Sequence, residues 1–333
     1  MKVIIPVAGA GTRLRPLTYT QPKALIPVAG KPIISYIIDQ LVEKGVNDFV
    51  FVIGYLGEKI KNYIDATYPE LSKEFIIQEN RWGSAHAIWL AREYWQDSEE
   101  VIIFFGDVIL DFNLQFVLDS PHSILAIKKV KDPRDFGVVE LDEDGKVTKV
   151  IEKPKIPKSD MAMVGFYKIR EVKHFVKSLE FVIKSNKRND NEFPLTDSLM
   201  NMIEEGIEFK TLIVDNWYNC GKKEVLLETN ALLLDKLGYG EDYPSFENTI
   251  IIHPVRIGTN CNIHNAIIGP HVTIGNNVKI TNAIVRNSII GNYASIKEII
   301  LQKSVVGNDA AITGLQQSLN IGDNTEIDFS ISV

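Results

Sequence analysis

Only two of the 333 residues are cysteine, Cys220 and Cys261, too few for a disulfide framework or a thiolate metal cluster. No apolar run approaches the ~20 residues that a membrane span requires. No basic tract with interleaved aromatics occurs and the net charge is -7, so nucleic-acid binding is not expected. The first apolar run, 3–8, leads into a glycine loop rather than a cleavage site; no leader is expected, and the cytoplasm is the simplest address. A chain of this length suggests two or three domains, each with ample core.

One further absence is local. No Asp or Glu precedes Asp39, whereas Lys2, Arg13, Arg15, Lys23 and Lys31 all fall before it. The run 3–8 is long enough for a buried strand and too short for a helix. It breaks into Gly9-Ala10-Gly11-Thr12-Arg13, where glycines permit positive φ and let backbone N–H groups approach a ligand. Cations gathered on a glycine loop in an acidic protein suit a polyphosphate. A Walker loop is excluded, because Thr12-Arg13-Leu14 follows Gly11. A dinucleotide fingerprint is excluded because its third glycine is replaced by Leu14. Arg13 and Lys23 are the counter-charges available to the phosphates.

Helical spacing of Ile33, Ile34, Ile37, Ile38, Leu41 and Val42 predicts a helix stopped near Gly45. Strands are expected at 48–54, 75–78 and 101–105, and helices at 58–66 and 84–95, the latter capped by Ser84. This alternation predicts a doubly wound, mainly parallel sheet, with ligands at the carboxyl ends of its strands, where the first loop, Gln78 and Asp107 fall. A carboxylate there can hold Mg²⁺, which usually binds through one or two carboxylates plus substrate phosphates. From Ser123 the pattern changes: strands at 124–130 and 161–169, a hairpin of 137–141 with 146–152, helices near 172–183 and 195–205, a strand at 208–214 and a helix at 223–237. Thr196-Asp197 is read as a helix cap outside the site. His86, His174, His253, His264 and His271 are read as structural or surface residues. Residues 1–237 form the first expected domain and 238–249 a linker.

Beyond the linker, Ile or Val precedes Gly at 257–258, 274–275, 290–291, 306–307 and 321–322, with further apolar residues between. This degenerate hexapeptide repeat, three short strands to a coil, predicts a left-handed parallel β-helix over 250–333 with five coils. Asn260, Asn262, Asn265, Asn276, Asn277, Asn282 and Asn287 suit its corners, since Asn tolerates left-handed backbone.

Residues 9–18, Gly-Ala-Gly-Thr-Arg-Leu-Arg-Pro-Leu-Thr, followed by Pro22-Lys23-Ala24-Leu25, resemble the signature of the sugar-1-phosphate nucleotidylyltransferases. The resemblance implies nucleotidyl transfer from a nucleoside triphosphate to a sugar 1-phosphate with release of pyrophosphate, and Mg²⁺ as cofactor. It implies Arg13 and Lys23 as catalytic cations, and Ala8, Gly9, Gly11, Thr12, Gln78 and Gly83 as nucleotide contacts. Glu152-Lys153-Pro154 matches the sugar-phosphate motif, joined by Gly137 and Gly165. Asp107 falls at the family's first metal position. The second lies in a Trp-x-Asp-x-Gly segment, which here reads Trp217-Tyr218-Asn219-Cys220-Gly221, so an uncharged Asn219 replaces the carboxylate. Thymidylyl transfer to glucose and guanylyl transfer to mannose both stay open. So do a sugar-nucleotide-binding regulatory or scaffolding role without turnover, an acyltransferase activity of the β-helix, and self-association through it.

Overall fold

A computed structural model describes residues 1–189, 191–238 and 244–314. The chain divides into two compact units, Met1–Lys236 and Leu237–Val333. Residues 239–243 of the expected linker and the fifth repeat at 321–322 lie outside the described residues. Among the described residues no helix is long and apolar enough to cross a membrane.

The first unit is built on a mixed nine-stranded sheet. At its centre Lys2–Val7 lies parallel to Asp48–Ile53 on one side and to Val101–Phe104 on the other, with Ser72–Ile77 beyond Asp48–Ile53. Val3, Ile4 and Ile5 are fully buried because both sheet faces are covered. Alternate residues serve opposite cores: Val3 and Ile5 meet Ile34, Ile37 and Leu41 of the helix Ile33–Val42, whereas Ile4 meets Ala85 and Ile88 of the helix Ser84–Leu90. Each such aliphatic side chain contributes roughly 1.5–3 kcal/mol by leaving water. The parallel block ends at Val101–Phe104, which pairs antiparallel with Met161–Ile169. That strand also pairs with Ser123–Lys129 and with the hairpin of Gly137–Leu141 and Val147–Glu152.

Three local expectations are corrected. Ser84 does not cap its helix: Gly83 is the N-cap residue, and the Ser84 hydroxyl instead accepts the Leu195 N–H at 2.9 Å. The helix stops at Leu90, and a 3₁₀ turn, Arg92–Tyr94, follows. Thr196-Asp197 is not a cap either, since Pro194 occupies the N-cap position of Leu195–Glu204. Periodicity also missed a two-stranded ribbon, Val108–Asp111 with Asn216–Asn219, whose strands are separated by over a hundred residues.

In the second unit the strands stack as parallel coils with three faces. Ile257, Ile274, Ile290 and Val306 are paired in register, as are Ile263, Ile280 and Ile296 on the next face, and Ile268, Val285 and Leu301 on the third. These residues fill the interior. Asn260, Asn265, Asn277, Asn282 and Asn287 take positive φ at corners as expected, but Asn262 lies in the strand Asn262–Ile268. Asn276 works through its side chain: its Oδ1 accepts the Thr259 N–H at 2.8 Å, and its own N–H donates to Asn292 Oδ1, whose N–H donates in turn to Asn308 Oδ1.

One buried cation holds the first unit's periphery. Lys168 is fully buried and donates to the carbonyls of Val117, Leu118 and Ser120 at 3.1, 3.0 and 2.8 Å while pairing with Glu100 at 3.0 Å. It satisfies the C-terminal carbonyls of the helix Leu114–Asp119. Lys168→Met strands these acceptors and the Glu100 charge, so urea denaturation should show a loss of about 3–5 kcal/mol. A loss below about 1 kcal/mol would mean that water replaces the ammonium.

Candidate functional site

After Val7 the chain leaves the sheet and winds through three 3₁₀ turns, Thr12–Leu14, Leu17–Tyr19 and Lys23–Leu25, rather than a helix. Gly11 makes this path feasible. Its φ is +61°, and a Cβ there would lie 2.9 Å from Thr18 Cγ2 and 3.2 Å from Lys23 Cβ. Thr18 Oγ1 donates to the Gly11 carbonyl at 2.8 Å, closing the loop on itself. Lys23 is thereby brought to the sheet end, where its Nζ reaches Asp107 Oδ2 at 2.5 Å.

Asp107 immediately precedes the ribbon strand Val108–Asp111, and Asn219 ends the opposite strand, in register with Val108. The Cys220 N–H donates to the Asp107 carbonyl at 3.2 Å. Burial pushes the Cys220 thiol up to about 12, against the opposing influence of Lys23, and its Sγ lies toward Thr229 Oγ1 at 4.0 Å. Among the described residues no three His, Cys, Asp or Glu side chains cluster as a metal site. Asp107 and Asn219 instead offer one carboxylate and one amide oxygen. Gly221 keeps the corner open, since a Cβ there would lie 3.1 Å from Asn219 Oδ1 and 3.4 Å from Lys23 Nζ. Such an oxygen pair fits a hard divalent cation that takes its other ligands from phosphate and water.

At the other end, Glu152 closes the strand Val147–Glu152, and its Oε2 accepts from Thr196 Oγ1 at 3.2 Å. Gly137 lies against the same group: a Cβ there would meet Met163 Cε at 2.4 Å, Thr196 Cγ2 at 2.9 Å and Glu152 Oε2 at 3.4 Å. Burial, and then the Glu152 charge, raises the Asp197 carboxyl above its ordinary range. The same two causes push the Tyr167 phenol upward, so it remains a hydroxyl. Lys153 follows at φ +40°, a left-handed conformation that is rare for lysine and costs about 1–3 kcal/mol. Its backbone N–H donates to the Phe136 carbonyl at 3.0 Å, and its ammonium lies 3.6 Å from Glu152 Oε1.

One cleft of about 570 Å³ runs between the two ends, and every expected site residue lines it. Ala8, Gly9, Gly11, Thr12, Arg13 and Lys23 come from the first loop, Gln78 and Gly83 from the segment after Ser72–Ile77, and Asp107 from the end of the central sheet. Gly137, Glu152, Lys153 and Gly165 form the far wall, and Asn219 completes the ribbon side. The sequence missed Thr196, Trp217 and Phe136, which line it too. Trp217 and Phe136 pack edge to face, with centroids 4.7 Å apart. Pro194 ahead of Leu195 was the available signal for Thr196, because a proline at the helix start leaves no capping duty for that hydroxyl.

The chain is similar to several known proteins. A glucose-1-phosphate thymidylyltransferase of Streptomyces antibioticus is 29% identical over 287 residues, covering 81% of this chain and 77% of its own. A low-salt glycan biosynthesis nucleotidyltransferase of Haloferax volcanii is 32% identical over 244 residues, and the bifunctional protein GlmU of Methanocaldococcus jannaschii 34% over 251. The matched segments cover 71% and 75% of this chain but 66% and 59% of those two relatives, just under two thirds of their length or less. A solved UDP-glucose pyrophosphorylase in complex with UDP-glucose shares the fold, with a TM-score of 0.62 and 23% identity over 71% of this chain and 98% of its own. The profile of the nucleotidyl transferase family matches residues 2–236, the whole of the unit that carries the cleft. The chain therefore belongs to the nucleotidyl transferase family.

Proposed function

We propose that the protein transfers a nucleotidyl group from a nucleoside triphosphate to a sugar 1-phosphate, releasing pyrophosphate. The observation that carries this is the layout of the cleft. The cationic glycine loop lies at one end, Glu152 and Lys153 at the other, and the Lys23–Asp107 pair on the loop side. The attacking phosphate oxygen is already an anion, so no general base is needed. The barrier lies in holding two polyanions together while charge moves across the α-phosphate, and fixed cations at both ends with two adjacent pockets lower it. Arg13 takes the pyrophosphate, Lys23 the developing charge and Lys153 the incoming sugar phosphate, with Glu152 and Thr196 on the sugar hydroxyls. Asp107 and Asn219 would hold Mg²⁺, which would supply charge neutralisation on phosphate oxygens. Work in the cytoplasm and self-association through the coils of the second unit belong to the same proposal.

Asn219 favours a second reading, a sugar-nucleotide binder without turnover. Pyrophosphate release across a panel of triphosphates and sugar 1-phosphates, with and without Mg²⁺, separates the two. Within that assay Lys23→Ala should lower kcat by on the order of 10²-fold or more. Normal turnover by the variant rules out the role given to Lys23. Asn219→Asp adds a negative charge beside the cation, and calorimetry should show Mg²⁺ binding to the nucleotide complex on the order of ten-fold tighter. Unchanged binding would place the cation elsewhere. Lys153→Asn removes the ammonium and suits the left-handed backbone better. KM for the sugar phosphate should rise about ten-fold or more, while thermal stability holds or increases. A fall in stability with unchanged KM would overturn the placement of Lys153.

A further inference from the structure

Gln78 directly follows the strand Ser72–Ile77 in a confined position, 6% exposed, with its backbone N–H donated to the Ile53 carbonyl at 2.8 Å. Its side-chain Nε2 lies 3.1 Å from the Gly83 carbonyl and 3.0 Å from His86 Nδ1. The Gly83 carbonyl can only accept, so the amide atom facing it must be the NH₂ group. The same NH₂ faces His86, so Nδ1 must be the accepting nitrogen and the ring proton resides on Nε2. Turning the amide over would set its oxygen against the Gly83 oxygen. His86 is itself 6% exposed and packs between Trp82 and Trp89, with ring centroids 5.0 and 6.3 Å away. Burial, and next the nearby Arg188 charge, holds its imidazole below the usual range, which keeps the Nδ1 lone pair free to accept.

Both side-chain amide N–H groups are therefore spent inside the protein, and Oε1 is the side-chain polar atom that Gln78 can offer to the cleft. We propose that His86 is the positioning residue for base selection, holding Gln78 as a pure acceptor so that the cleft favours bases with a ring N–H. Uracil, thymine and guanine carry that N–H at the centre of their pairing edge. Cytosine and adenine have a bare lone pair at the corresponding ring nitrogen, which a fixed carbonyl repels. A free glutamine could turn its amide to suit either class; one whose two N–H groups are held by the Gly83 carbonyl and His86 Nδ1 together cannot. This rests on the nucleotide-binding half of the proposal above.

The test is equilibrium binding of UTP, TTP, GTP, CTP and ATP to the full chain by calorimetry, with turnover on a sugar 1-phosphate measured in parallel. At least one of the first three should bind about ten-fold or more tightly than both CTP and ATP. His86→Leu should shrink that gap to about three-fold or less and raise KM for the triphosphate, leaving KM for the sugar phosphate unchanged. His86→Gln, whose side-chain carbonyl can accept in place of Nδ1, should restore the preference. The proposal is overturned if the wild-type chain shows no such gap, if His86→Leu keeps it, or if His86→Gln behaves as His86→Leu does. A preference that holds in binding and responds to these variants, with no turnover of any pair, supports base selection and defeats nucleotidyl transfer. Failure of every triphosphate to bind overturns both.

Discussion

A lysine and an aspartate 84 residues apart meet at 2.5 Å where the central sheet opens into the cleft, and the rest of the site is built outward from them. The pair requires two unrelated pieces of backbone to be accurate at once. Three 3₁₀ turns must fold the first loop back on Gly11, and the ribbon of Val108–Asp111 with Asn216–Asn219 must fix Asp107 beside Asn219. Lys23 is largely shielded and Asp107 is 41% exposed, so the carboxylate is the more accessible member of the pair. An arriving cation has to share Asp107 with the ammonium. In the proposed reaction, metal and phosphate would both draw on this one pair of charges.

The far wall follows a different logic. There the backbone is held at a cost, with Lys153 in a left-handed conformation and Gly137 too crowded for a side chain. Gly137 sets the shape of that wall and Lys153 sets its charge.

How much was legible follows from where the information resided. The first loop could be read because its glycines, its cations and its missing acids all fall within 38 consecutive residues. The aliphatic coils could be read because Ile257, Ile274, Ile290 and Val306 recur at nearly constant spacing. The ribbon could not, because two four-residue strands over a hundred residues apart leave no period. Ser84 misled through a general preference: serine before a helix usually caps it, but here Gly83 takes that position and the hydroxyl holds Leu195. His86 had no local signal, because its meaning comes from the amide eight residues earlier.

The asparagine row of the second unit runs in one direction only: each coil's backbone N–H is received by the side chain of the coil after it, 16 or 17 residues on. Such a row has a grammar. The row tolerates both lengths: the first link spans 17 residues and the next two span 16, yet Ile257, Ile274, Ile290 and Val306 stay in register, so the extra residue is absorbed outside the ladder. What each coil must preserve is therefore the alignment of its corner asparagine with the one before it, not a fixed residue count.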